Sequence, residues 1–190
     1  MKFKKVILTA AATAFILQAS AYAADLTASY SMDDMTGLTY IGTVSNILGQ
    51  KNNAVEFNGG SATLSRFPLS DNFTVSAWIK PSGLTSWERV FDFGSDQKNY
   101  IFLTVNNGNG YPRLAVKYNN QTEQNITSSV SLNKNVWSYI TVTMKDNKAT
   151  MYINGESVAS GNITVPMSSL ATSAANYIAK SQYTSDPNYT

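Results

Sequence analysis

The chain has 190 residues, with 14 basic and 12 acidic side chains, no histidine and no cysteine. Lacking histidine, it has no usual general base at neutral pH, no Ser-His triad and no usual zinc ligand set; lacking cysteine, it gains nothing from disulfides. The length suits one domain plus a targeting segment, and no Lys/Arg cluster in the domain tracks phosphates, so nucleic acid is a poor partner.

The first 23 residues read as a leader. Lys2, Lys4 and Lys5 form a basic start, residues 6–17 are mostly apolar, and Ala21-Tyr22-Ala23 is a small-x-small cleavage site. The apolar run falls short of the ~20 residues a spanning helix needs. The expectation is cleavage after Ala23, export to the periplasm, cell surface or medium, and a mature domain over 24–190 without a membrane span. Removing three lysines takes the basic count to 11 against 12 acidic residues, a net charge of −1.

The mature chain reads as short strands divided by Asn-, Gly- and Asp-rich turns. Residues 26–32 alternate, with Leu26, Ala28, Tyr30 and Met32 on one face, and predict a half-buried strand. Residues 33–37 form a turn, and 38–51 predict loops. Strands follow at 53–58, 61–64, 73–80, 88–94, 100–105, 113–118 and 124–127, with a weaker one at 177–180. Residues 165–176 contain Pro166 and many Ser/Thr, and predict a loop with at most one helical turn.

The clearest unit is the meander 137–161. Trp137, Tyr139, Thr141 and Thr143 share one face, and Ser138, Ile140, Val142 and Met144 share the other. Residues 145–148 are polar and suit a turn. Residues 149–154 alternate again, and Asn154-Gly155 fits a type I′ turn, whose central residues both need positive φ. Residues 156–160 return as a third strand. About a dozen such strands imply an all-β sandwich or barrel.

Several segments, in order, carry a resemblance: AVEFNG at 54–59, FTVSAWIKP at 73–81, WERVFDFG at 87–94, YIFLT at 100–104, the meander, and residues 177–187. Together they resemble a laminin G-like domain of the concanavalin A-like lectin/glucanase superfamily, of the type attached to bacterial glycoside hydrolases acting on arabinan and xylan. The resemblance implies an all-β fold, a two-sheet antiparallel β-sandwich of jelly-roll form. It also implies a closing C-terminal strand after residues 181–187, which is missing here, so the domain reads as incomplete at its C-terminus. Related domains hold structural calcium near the first strand; Asp33 and Asp34, in a turn, are the candidate ligands here.

The candidate chemistry follows. Retaining glycosidases of this superfamily carry acidic residues at alternate positions of one strand; no such run exists, although Glu88 and Asp92 are expected on one strand face. Trp78 and Trp137, inside strands, are expected in the core. The candidate ligand-binding residues are Trp87, Tyr111, Tyr118, Asn119 and Asn120, since sugar rings stack on aromatic faces while amides bind hydroxyls. The resulting expectation is a non-catalytic carbohydrate-binding module for a polysaccharide or glycan, attached to a hydrolase or a cell surface. The alternatives are an adhesive module that binds protein, or a glycoside hydrolase whose catalytic domain lies beyond residue 190.

Overall fold

The computed structural model describes residues 3–7, 26, 28–65, 70–170 and 175–187. They form fourteen strands and one short 3-10 turn. In chain order these are β1 (Phe3–Ile7), β2 (Thr39–Ile41), β3 (Val44–Leu48), β4 (Asn53–Phe57), β5 (Ser61–Leu64), β6 (Phe73–Pro81) and β7 (Arg89–Asp96). Then come β8 (Asn99–Thr104), β9 (Arg113–Lys117), β10 (Gln124–Thr127), β11 (Ser138–Lys145), β12 (Lys148–Ile153), β13 (Glu156–Asn162), the 3-10 turn Met167–Leu170 and β14 (Ala175–Ile178).

The strands build two antiparallel seven-stranded sheets. The first has the order β13-β12-β11-β6-β1-β4-β3, and the second β10-β9-β8-β7-β14-β5-β2. One core fills the space between them. From the first sheet it takes Val55, Phe57, Val75, Ala77, Ile79, Ile140, Val142 and Met151; from the second, Phe91, Phe93, Ile101, Leu103, Leu114 and Val116. Period-two alternation puts these residues inward and polar ones outward, the pattern of a β-sandwich.

The meander forms as its sequence predicts. Ser138, Ile140, Val142 and Met144 are buried, and their alternates are half-buried. Asp146-Asn147 turns at φ 51° and 63°, and Asn154-Gly155 at φ 52° and 90°, as type I′ hairpins require. Residues 167–170 supply the one helical turn.

Three expectations are corrected. Among the described residues of 26–32 no strand forms: Tyr30 makes a single bridge, and Met32 leaves the extended region at φ 60° while its side chain is buried. Residues 39–48, expected as loops, form edge strands β2 and β3 instead. An edge strand is paired on one side only, so its residues need not alternate cleanly; Leu48 is 86% exposed. Trp78 and Trp137 are both half-buried; Trp78 packs against the main core as expected, but Trp137 is not part of it. Trp78 occupies the polar register of β6 and packs on Tyr139, ring centroids 5.3 Å apart.

Candidate carbohydrate-binding surface

The outer face of the second sheet carries a second, smaller apolar cluster. Tyr100, Phe102 and Ala115 alternate outward from β8 and β9, with Trp87 and Tyr183 packed over them. Arg89, on the same face, is 1% exposed and lies over the Phe102 ring at 3.8 Å. Its guanidinium donates to Asp92 Oδ2 at 3.1 Å, to Asp186 Oδ2 at 2.7 Å and to the carbonyl of Trp87 at 2.6 Å. Ser181 Oγ also donates to Asp186 Oδ2, and the backbone N–H of Gln182 donates to Asp92 Oδ2. One buried cation thus ties β7 to the segment that crosses the face after β14.

The register of β7 decides what its carboxylates can do. Pairing with β8 shifts between Arg89 and Phe91, a β-bulge, and both Val90 and Phe91 join the main core. A bulge exchanges the faces of the residues on its two sides. Asp92 lies with Arg89 and Asp186, while Glu88 neighbours Thr85 and Lys134. The two acids share no partner, so the expectation that they lie on one face is corrected.

Burial pushes Asp92 up to about 6, with the Arg89 charge pulling the other way. Glu88 is fully buried, and neither carboxylate oxygen has a close hydrogen-bond partner. Burial pushes it up to about 7, against the smaller pull of Thr85 and Lys134. The folded state therefore holds the Glu88 proton more tightly than the unfolded chain. Stability is full below the unfolded value of ~4.3 and falls as pH rises through about 7. Glu88→Gln, which keeps the shape and removes the charge, is expected to flatten this slope and to stabilise the protein at pH 8 by roughly 1–2 kcal/mol. Melting curves from pH 4 to 8 measure it; equal pH slopes in the two proteins would contradict it.

Beside this face the chain between β8 and β9 folds into a compact loop over 106–111. Asn106 Oδ1 accepts from the N–H of Gly108 and of Gly110, and its amide donates to the carbonyl of Leu84. Asn107 is buried; its Oδ1 accepts from Asn109 and Tyr111, and its N–H donates to the Tyr111 carbonyl. Gly108 and Gly110 both sit at φ 91°, where a side chain is strained. Trp87 joins the same loop, its N–H donating to the Asn106 carbonyl at 2.7 Å. Its indole lies within 4 Å of the place a Cβ on Gly108 would take, and 5.9 Å from the Arg113 guanidinium. Trp87 has φ 69°, a conformation costing a bulky residue about 1–3 kcal/mol. The bonds to its N–H and its carbonyl hold it there. Tyr111 closes the loop and is 40% exposed.

The structure divides the sequence-predicted binding set. Trp87 and Tyr111 come together at the 106–111 loop. Tyr118, Asn119 and Asn120 lie past the far end of β9, some 13 Å along the strand. Tyr118 is half-buried against the main core. Asn119 and Asn120 are exposed turn residues at φ 49° and 61°, and the Asn119 N–H donates to Asn99 Oδ1.

The face between the two groups holds Arg113 and Glu123, which sequence reasoning did not select, and Tyr100 and Tyr183, which it marked only as flanking polar loops. Arg113 pairs with Glu123 at 3.5 Å and donates to Thr127 Oγ1 at 3.2 Å. Tyr100 donates to Glu123 Oε2 at 2.7 Å and accepts from Tyr183 at 3.3 Å. Burial, with the Tyr183 and Glu123 contacts, raises the Tyr100 pKa. The sequence marks Tyr100 and Tyr183 as tyrosines flanking polar loops, and alternation on β9 is the signal for Arg113; that they meet on one face is decided by the tertiary fold.

The candidate calcium ligands Asp33 and Asp34 each accept hydrogen bonds through Oδ1. Asp33 Oδ1 accepts from the N–H of Asn53, and Asp34 Oδ1 accepts from the N–H and hydroxyl of Thr36. Among the described residues no three acidic side chains gather. Calcium takes six to eight oxygens, so these two carboxylates would need carbonyl, amide or water oxygens beside them to hold it. Melting with and without EDTA tests the pair: a drop in melting temperature restored by calcium would assign a structural site here, and an unchanged value would leave the two carboxylates to their hydrogen bonds alone.

Two stacked sheets, an organised loop and a mixed aromatic-polar face define the class as a lectin-type β-sandwich. Residues 49–190 match the laminin G-type family model described as concanavalin A-like lectin/glucanases superfamily, and the chain belongs to that superfamily. No curated protein sequence matches the chain. Among solved structures it is similar to domain 4 of AbnA, a GH43 extracellular arabinanase from Geobacillus stearothermophilus, in complex with arabinotriose. That similarity has 21% identity and a TM-score of 0.66, and covers 77% of this chain and 76% of that one. It is also similar to the enzymatically active domain of bacteriophage CBA120 tailspike protein 2, with 15% identity and a TM-score of 0.52, covering 74% of this chain and 25% of that one.

Proposed function

We propose that the chain is a non-catalytic carbohydrate-binding module that takes an arabinan- or xylan-type polysaccharide at the Trp87–Tyr111 loop. The observation that carries this is Trp87, held in a strained backbone conformation beside a loop built from asparagine side chains. Strain of this kind collects at ligand sites, where the surrounding structure over-determines it. Trp87 and Tyr111 offer ring faces for the C–H side of a sugar, and Arg113 and Glu123 offer charged donors and acceptors for hydroxyls. Superfamily membership and the similarity to a domain solved with arabinotriose support the ligand class. The separation of Glu88 from Asp92 supports the non-catalytic reading, because a hydrolase needs two carboxylates flanking one bond.

The leader over 1–23 fits export, and among the described residues no helix is long and apolar enough to cross a membrane. In an exported hydrolase or surface protein, such a module raises the local concentration of substrate. Titration calorimetry with arabino- and xylo-oligosaccharides tests the reading: weak saturable binding without release of reducing ends is expected. Release of reducing ends would make the chain an enzyme. A protein-binding adhesive module is the second reading, favoured by Ile41 and Leu48, exposed on the edge strands β2 and β3. An absence of glycan binding, together with capture of a protein partner, would select it.

A further inference from the structure

The outer face of the first sheet has an unusual composition for a surface that meets water. β6, β11 and β12 are neighbours in the order β12-β11-β6, and their register sets the outward side chains in rows across the strands. One row pairs Trp78 with Tyr139. The next runs Ser76, Thr141 and Tyr152. The third includes Thr143 and Thr150. The residues that alternate with them are buried, and all of these keep contact with solvent.

Solvent-facing positions are the usual place for Lys, Arg, Asp and Glu. β6, β11 and β12 contain no Asp or Glu, and their lysines stand only at the two ends of the face, Lys80 at one and Lys145 with Lys148 at the other. The outer face of the second sheet, by contrast, carries Arg89, Asp92 and Arg113. Between the lysines lie rings and hydroxyls. The Trp78 and Tyr139 rings are 5.3 Å apart and tilted by 42°. The Tyr139 hydroxyl donates to Ser76 Oγ at 2.8 Å, which ties its ring to the next row.

This chemistry suits one kind of occupant. The C–H side of a sugar stacks on an aromatic ring, and its hydroxyls exchange hydrogen bonds with Ser, Thr and Tyr. With no charge in the middle, covering the face with a neutral chain desolvates no ion. Nor does the middle offer a cation to a sugar carboxylate or sulfate. We propose that the outward face of β6, β11 and β12 is a second saccharide-binding surface, which takes a neutral polysaccharide lying across the strands. A sheet face encloses no single sugar as a pocket does, so it holds a run of several units and not a short oligosaccharide. The surface is on the opposite sheet from the Trp87–Tyr111 loop and shares no residue with it, so either assignment can fail alone.

The test uses folded 1–190 in pull-downs on insoluble xylan and linear arabinan, with polygalacturonate as the charged counterpart. Trp87→Ala with Tyr111→Ala disables the loop. That variant is expected to lose trisaccharide binding and to keep measurable capture by at least one neutral polymer. Adding Thr141→Lys, which sets a long cation in the middle row, or Tyr152→Ser, which removes a ring, is expected to weaken the remaining capture about tenfold or more. Both positions point outward, so melting temperatures close to that of the loop variant are expected. Loss of all capture with the loop disabled would overturn the proposal. So would capture left unchanged by both face substitutions, or polygalacturonate held as tightly as the neutral polymers. A parent that captures neither neutral polymer overturns it as well, while the loop is judged on oligosaccharide calorimetry. If the loop variant does not fold, amide shifts of the parent with xylohexaose and arabinohexaose decide. Shifts over residues 139–152 with either sugar support the surface, and shifts confined to 87–113 with both overturn it.

Discussion

Replacing Arg89 with alanine is expected to lower stability by about 3–5 kcal/mol, the cost of leaving a buried ion pair with one partner. For a protein of this size that corresponds to a fall of roughly 10 °C or more in melting temperature. Arg89 is 1% exposed and its fork reaches three acceptors: Asp92, Asp186 and the Trp87 carbonyl. Alanine leaves Asp92, which is fully buried, without its cation, and leaves the Phe102 ring uncovered. Lysine keeps the charge but offers a single point donor, so Arg89→Lys is expected to recover only part of the loss. The damage has a location as well as a size. Residues 175–187 are fastened through Asp186, Ser181 and Gln182, so their amides should lose protection before the meander does. A melting temperature within 2 °C of the parent, with residues 175–187 still protected, would show that the clamp is not what holds this segment.

The second large effect concerns binding. Trp87→Ala combined with Tyr111→Ala is expected to weaken oligosaccharide affinity by about 100-fold or more, since each stacked ring contributes on the order of 1–2 kcal/mol. Stability should change little at Tyr111, which is 40% exposed. Trp87→Ala also removes a bulky side chain from a backbone at φ 69°. Tyr118→Ala is the contrasting variant: it is expected to keep the affinity and lose stability, because Tyr118 packs on the main core. Calorimetry on the folded variants separates two kinds of failure. Full affinity after loss of Trp87 and Tyr111, with affinity lost at Asn119 or Asn120, would move the site to the other end of β9. No affinity in the parent would reject the carbohydrate reading itself.

Much of the fold was legible because alternation is a local property. The meander was read from the apolar alternation of Ile140, Val142 and Met144, which the structure buries, and type I′ geometry from Asn154-Gly155. The same rule misled at residues 26–32, where the pattern alternates but, among the described residues, only Tyr30 finds a strand partner. It was silent at β2 and β3, where one side of each strand faces solvent and composition is free to vary. The bulge at Arg89–Phe91 was invisible, since one extra residue in a strand has no signature until the partner strand is known. Its consequence was large, because it parts Glu88 from Asp92. The binding set shows the same limit. Trp87 and Tyr111 were selected separately as loop aromatics, and the asparagine bonds that bring them onto one loop depend on side-chain directions.

The sequence by itself determined the all-β class, the principal hairpin and the lack of histidine and cysteine chemistry, while the order of its segments over residues 54–187 carried the resemblance to the superfamily. These depend on residue type and on neighbours one or two places away. Only the tertiary structure decided which residues share the outer face, that a single buried arginine joins Asp92 to Asp186 across 94 positions of chain, and that residues 3–7 lie between β4 and β6. Each of those depends on strand order and register, which are set by pairing between distant segments and by the collective burial of one core between two sheets.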